Sequence, residues 1–416
     1  MWRPGQPGAP GTLHRLRAVR ELFRSSAGRA FLIAAGVVAM ATAIGLAVLW
    51  PGDVDPKLGQ IYSSDTERGE VVRIEQFPCS TAFADACENV TVDLQSGPDE
   101  GSETTIRNLG ATGGPIPPGL DVGDEVRLAQ VVRPPGVTGP RQYTLTDFER
   151  RSPMLWLAIA FAALVILFGR LRGALSLVGL AISLAIVLVF ILPAILGGED
   201  PLWVAIFGSL AVMIATIGLA HGVSAKSIAA ILGTTASLAL VALLAQLATD
   251  ATSLTGLSSE ESGTLVFNDV VSQSSLQGLL LAGMVIGALG VLDDVTVSQS
   301  STVIALRAAN PDLGFGQLYR RATEVGRDHV SATVNTLVLA YVGSALPVLL
   351  ILTSSDVGLL EGVNFEVVAK EIVAMLVGSI GLIAAVPLTT ALTALLAVRS
   401  DPGDLAAGEV AQAHAH

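Results

Sequence analysis

Gly283-Met284-Val285-Ile286-Gly287-Ala288-Leu289-Gly290-Val291-Leu292-Asp293-Asp294-Val295-Thr296 decides how this chain is read. A smooth apolar run ends in two adjacent carboxylates, and some thirty residues later Gly326-Arg327-Asp328-His329 opens a second apolar run. Ionisable groups at the edge of such segments cost free energy unless they are paired, hydrated or used. The stretch therefore predicts two membrane helices that present acids and a histidine at one membrane face.

The rest of the composition agrees. Of 416 residues 51% are hydrophobic and 14% charged, whereas soluble domains carry about 25% charged residues. A helix needs roughly 20 apolar residues to cross a bilayer core. Eight segments meet that length, at approximately 31–50, 154–169, 174–196, 202–220, 226–248, 276–292, 330–352 and 370–397. The expected fold is an α-helical polytopic membrane protein of eight transmembrane helices, with a small extracytoplasmic all-β domain between the first and second. The expected parts are a basic cytoplasmic segment 1–30, the helix 31–50, the β domain 52–153, a seven-helix membrane domain 154–397 and a cytoplasmic tail 398–416.

Loop charge orients the spans, because positive residues near helix ends are retained in the cytoplasm. Arg15, Arg17, Arg20 and Arg24, then Arg170, Lys226, Arg307, Arg327 and Arg399 fall on one side, while 197–201 and 249–275 hold acids and no Lys or Arg. Both termini are predicted to be cytoplasmic, in a multi-pass protein of the plasma membrane with the lipid bilayer as its first partner. The net charge of −12 follows from acids in the outer loops and the β domain and implies no partner of its own. Segment 31–50 is long and ends at Trp50-Pro51 without a small-residue cleavage site, so it reads as a retained helix rather than a signal peptide. Before it, 14–24 reads either as a basic amphipathic helix on lipid or as a flexible positive tail.

Segments 70–75, 90–94 and 125–131 alternate as half-buried strands, with Ser96-Gly97-Pro98 and Pro115-Ile116-Pro117-Pro118-Gly119 as turns. Few aromatics are present, so nucleic acid is not an expected partner; a protein or envelope partner through 52–153 remains open. Cys79 and Cys87, the two cysteines of the chain, lie in this domain and are expected to form a disulfide in an oxidising compartment. Unpaired thiols are the alternative, and metal binding is weaker still.

Within the helices, Gly283, Gly287, Gly290 and Asp294 share one face, and glycines so spaced let another helix approach closely. One of Asp293 and Asp294 could cap a helix over 296–308, but capping needs one carboxylate. Segments 296–309 and 316–326, split by Asn310-Pro311, read as a cytoplasmic helical hairpin. In the seventh span His329, Thr333, Thr336, Ala340, Gly343 and Pro347 form one stripe with Asp328 and Asn335 beside it; such a row should face protein or water. It is either interhelical glue or one wall of a proton or ion path. His221 ends the fourth span on the same face, so three carboxylates and two imidazoles could relay protons or hold a divalent metal. No metal motif supports the latter, and the metal stays unknown. Pro387 followed by Thr389, Thr390 and Thr393 marks a kink or hinge. The coupling or gating candidates are Asp293, Asp294, Asp328, His329, Asn335 and Thr336, with His221, Gln299 and Arg327 secondary. No catalytic residue and no cofactor are expected, since no nucleophile and base pair stands out.

The order Gly290-Val291-Leu292-Asp293-Asp294-Val295-Thr296-Val297-Ser298-Gln299, then Gly326-Arg327-Asp328-His329-Val330-Ser331-Ala332, then Asn335-Thr336-Leu337-Val338-Leu339-Ala340-Tyr341-Val342-Gly343 and Leu346-Pro347, closely resembles the YibE/F-like membrane proteins. The resemblance covers nearly the whole chain and implies a multi-pass bacterial membrane protein without a settled activity. An acid at the end of one span, an amphipathic helix, a Gly-Arg pair and a Thr-bearing next span are also similar to the core of SecD/SecF and resistance-nodulation-division transporters. The helix count and the small outer domain depart from that pattern. Two functions follow as expectations. The first is a transporter or permease-like protein of unknown solute or ion, proton- or ion-coupled through the acids. The second is a non-catalytic scaffold or accessory subunit whose β domain binds a partner.

Overall fold

The computed structural model describes residues 26–52, 66–78, 86–109, 120–131, 141–222, 224–258, 260–267, 270–355 and 357–399. The amphipathic reading of 14–24, the tail 400–416 and Cys79 lie outside them. The chain divides into two compact units, Pro56–Leu164 and the remainder.

The smaller unit holds an antiparallel five-stranded sheet: β1 Thr66–Pro78, β2 Ala86–Leu94, β3 Glu103–Leu109, β4 Glu125–Gln130 and β5 Tyr143–Phe148, in the order β3-β2-β1-β4-β5. The long β1 pairs with β2 along 69–78 and with β4 along 66–70, and its register against β2 shifts between Val71 and Arg73. Alternation puts Val71, Val90, Val92, Leu94, Val126 and Leu128 into one apolar core. Strands β3 and β5 were not singled out in the sequence reading, although Tyr143-Thr144-Leu145-Thr146 alternates. Cys87 is fully buried in β2 and is not a free thiol. Tyr143 donates its hydroxyl to Asp99 Oδ2 at 2.9 Å. Burial and then the Asp99 carboxylate raise its phenol above the ordinary 10.0.

The helices are α1 Ser26–Val48, α2 Arg151–Ile186, which begins in the smaller unit, α3 Leu192–Leu196 after a π-helical turn Val187–Ile191, α4 Pro201–His221, α5 Ala225–Thr252, α6 Glu260–Phe267, α7 Gln273–Ala309, α8 Phe315–Ser354, α9 Leu359–Gly362 and α10 Glu366–Arg399. Helix α2 is broken at Arg170, whose φ of 50° and ψ of −130° are not helical. Eight segments among the described residues are long and apolar enough to cross a membrane, as the hydropathy pattern predicts.

Helix α10 packs on α5, α7 and α8; α5 and α4 pack on α7. The contact of α5 with α10 is close because glycines face side chains: Gly233 lies against Thr389 and Gly381 against Val241, with no room for a Cβ. Ile217, Leu238, Val241, Val285, Leu292 and Val377 fill the space between these helices.

The structure corrects one local reading. Spans six and seven do not end at the acids or at Gly326. Helix α7 runs unbroken for 37 residues through Asp293 and Asp294, and α8 for 40 residues through Gly326 and His329. Nothing between 290 and 309 breaks a helix; Asn310-Pro311 is the first stop, as the turn residues predict. Capping by Asp293 or Asp294 is therefore overturned, since both have helix on either side. The expected hairpin is the continuation of the two spans, and buried Arg307 closes its turn by donating to the carbonyls of Pro311 and Leu313.

Candidate functional site

A carboxylate near the middle of a helix points where the helix turn sends it, so the adjacent Asp293 and Asp294 diverge by about 100°. Asp293 turns into the bundle. Its Oδ2 accepts from Thr216 Oγ1 of α4 at 3.3 Å, and its Oδ1 is buried with no hydrogen-bond partner among the described residues. Asp294 turns outward, with its side chain 79% exposed, and its Oδ2 stands 3.9 Å from His329 Nε2 of α8.

From Asp293 the inner face of α7 continues at helical spacing as Thr296, Gln299, Ser300 and Arg307. Each of the first three meets a polar group on another helix. Thr296 and Thr234 of α5 share a hydrogen bond of 2.5 Å. Gln299 Nε2 donates to Ala322 O of α8 at 2.8 Å and to Thr390 Oγ1 of α10 at 2.7 Å. Ser300 Oγ lies 3.2 Å from Thr393 Oγ1, within hydrogen-bond distance. Thr390 and Thr393 also donate to the carbonyls of Val386 and Thr389 on their own helix, around Pro387, which α10 carries without a break. A buried polar lane thus runs along α7 and joins α4, α5, α8 and α10, with the fully buried Thr389 Oγ1 beside it and without a hydrogen-bond partner among the described residues.

Of the residues that the sequence singled out, Asp293, Asp294, His329 and Gln299 meet partners here. Asp328, Asn335, Thr336 and Arg327 do not: all four are exposed on α8, and Asp328 and Asn335 make no side-chain hydrogen bond or ion pair among the described residues. His221 ends α4, and its side chain lies outside the described residues. No group of three metal-ligating side chains occurs among the described residues. The sequence reading missed Thr216, Thr234 and Thr296. Their signal was present as Asp293, Thr296 and Ser300 at steps of three and four, but the partner hydroxyls sit on other helices, where spacing alone cannot pair them.

The expected close packing on the glycine row is also corrected. A Cβ at Gly283 or Gly290 would meet nothing, and at Gly287 only the Tyr341 hydroxyl. The row is exposed on α7, on the same side as Asp294.

Residues 157–399, more than half of the chain and every helix that lines this lane, match the family model of the YibE/F-like proteins. The chain belongs to the YibE/F-like family. The match begins in α2, so the leading helix and the sheet domain, which the resemblance had included, stand outside the part that defines this YibE/F-like protein. No curated protein matches the chain, and no solved structure matches it, so the likeness to SecD/SecF carries no structural argument.

Proposed function

We propose that this YibE/F-like protein is a permease-like integral membrane protein that moves a solute or ion, with Asp293 as its coupling group. The observation that carries the reading is the half-buried Asp293 carboxylate, which leans on one hydroxyl, leaves Oδ1 unpartnered and begins the polar lane of α7. A carboxylate inside an apolar bundle is costly unless a proton or cation neutralises it. Hydroxyls at successive turns offer oxygen ligands or a hydrogen-bonded relay. The Asp294–His329 pair, open to the outside of the bundle, is the entry gate. On loop charge, this gate lies toward the cytoplasm of a plasma-membrane protein with both termini inside.

The test is flux through purified protein reconstituted in vesicles under an imposed pH gradient, with proton and alkali-cation indicators as probes. Wild type should dissipate the gradient, and Asp293→Asn should abolish this while retaining the fold. Vesicles that stay as tight as protein-free ones sink the reading. If deleting 52–150 then abolishes the cellular role, the scaffold alternative takes its place.

A further inference from the structure

At the end of the bundle away from Asp293, where α4 begins, α5 ends and α7 begins, a cavity of about 350 Å³ opens to the surface. It is lined by Glu199 and Asp200 before α4, Gln246 of α5 and Gln277 of α7, with Leu202 and Leu281 as its apolar part. The volume falls at the small end of ligand pockets, which start at about 300 Å³. No Lys or Arg lines the cavity, and the flanking segments 197–201 and 249–275 hold none. Gln277 precedes Asp293 by sixteen residues of α7, or about 24 Å of helix, so this space is separate from the polar lane.

What the lining offers is set by a residue outside it. Asp250 does not line the cavity, but its two oxygens accept from Gln246 Nε2 at 3.0 Å, and its Oδ1 accepts from Gln277 Nε2 at 3.3 Å. With both amide nitrogens turned to Asp250, each carboxamide has its oxygen left for the cavity. Glu199 adds a half-buried carboxylate that makes no side-chain hydrogen bond or ion pair among the described residues. Asp200 is spent: its Oδ1 accepts from the Leu202 and Trp203 amides and satisfies the start of α4. The hydroxyl of Ser275, which also lines the space, is engaged with Ser272. Three acceptor groups from three different elements thus face one volume with no cation among them.

We propose that this cavity binds a small organic cation through a primary ammonium group. An ammonium carries three N–H donors, and the Glu199 carboxylate with the oxygens of Gln246 and Gln277 supplies three acceptors. The bond to Glu199 is charged on both sides, the strong kind of hydrogen bond. A quaternary ammonium has no N–H to give and is held by aromatic faces instead, and no aromatic side chain lines this cavity. The free carboxylate repels anions, and the volume is more than a bare alkali ion fills, with Leu202 and Leu281 placed to take an apolar stem. A soluble amine and an amine-bearing lipid headgroup offer the same chemistry, and the test separates them. Binding at this end needs no flux, so the inference does not depend on the transport reading.

The test titrates ethylammonium into the full chain in phosphatidylcholine nanodiscs at constant ionic strength, with empty discs as the blank and calorimetry as the readout. Ethylammonium should bind saturably, and tetramethylammonium or sodium at the same concentration should not displace it. Glu199→Gln should weaken binding by about tenfold or more, the scale of one lost hydrogen bond to a charged group. Glu361→Gln removes the same charge at the same end of the bundle without touching the cavity and should leave binding unchanged. Neither variant should move the thermal midpoint. Repeating the titration in phosphatidylethanolamine discs separates the two sources: an unchanged affinity assigns the cavity to a soluble amine, and a competitive loss assigns it to the lipid's own ammonium. The proposal is overturned by the absence of saturable binding, by equal binding of tetramethylammonium or sodium, or by a Glu199→Gln chain that binds as well as wild type.

Discussion

Asp294 and His329 meet across α7 and α8 at 3.9 Å, and both side chains are substantially exposed. An ion pair so placed contributes about 0–1 kcal/mol. Asp294→Asn and His329→Gln, singly and together, should therefore leave thermal unfolding within that range. If the pair gates entry, both should alter the pH dependence of flux, and the double variant should behave like either single one. A stability loss of several kcal/mol in a double-mutant cycle would make the pair structural instead.

The buried clasp of Gln299 should behave oppositely. Gln299→Leu removes both donors and leaves Ala322 O and Thr390 Oγ1 short of a partner in a dry interior; the loss should be about 2–4 kcal/mol. Thr390→Val keeps the bond to Ala322 and should cost roughly half as much. Thermal unfolding in a constant detergent checks the ranking, and equal losses would show that the two bonds act as one unit.

These contrasts mark what could be read from sequence. Helix number and the turn at Asn310-Pro311 were legible, because apolar length and a proline act locally. Asp293 was legible as an oddity, since charge is rare in such a run. Its role as the start of a lane was not, because Thr216, Thr234 and Thr390 look like ordinary helix hydroxyls until tertiary packing brings them to α7. The glycines of α7 were misread for the same reason. Spacing shows that a helix could come close, but not whether one does.

Glycines therefore give a paired prediction. Gly381→Ala and Gly233→Ala drive a Cβ into Val241 and Thr389 and should lower stability by about 1–3 kcal/mol, the usual cost of overpacking. Gly283→Ala meets nothing and should leave the detergent-solubilised protomer unchanged or slightly more stable, since alanine favours helix over glycine by about 1 kcal/mol. Unfolding midpoints of the three variants against wild type decide it.

In the sheet domain the pH dependence has a definite sign. Folding raises the Tyr143 phenol above 10.0 through burial and the Asp99 carboxylate. The folded state thus holds this proton more tightly than the unfolded one, and its contribution to stability is complete below pH 10.0 and lost as pH rises through the folded value. Asp99→Asn should shift the phenol downward, because it removes a charge but leaves the burial. A difference titration of tyrosinate absorbance between wild type and Tyr143→Phe isolates this group from the other three tyrosines, and a midpoint at or below 10.0 would contradict the packing of Tyr143.

Glu366 offers the last test, at the end of the bundle away from Asp293. Its carboxylate accepts from the Thr255 and Gly256 amides at 2.9 and 2.6 Å and from Thr255 Oγ1 at 2.8 Å, tying the turn after α5 to the first turn of α10. The Gly256 φ of +81° suits glycine, so the turn has its shape from the chain and its anchorage from Glu366. Glu366→Ala strips both amides of their acceptor and should cost about 1–2 kcal/mol; Glu366→Gln keeps an acceptor oxygen and should cost less. Hydrogen exchange at Thr255 and Gly256 should quicken in the alanine variant while exchange in the buried middle of α5 stays slow. Faster exchange throughout α5 would mean that the latch holds the helix itself and not only its turn.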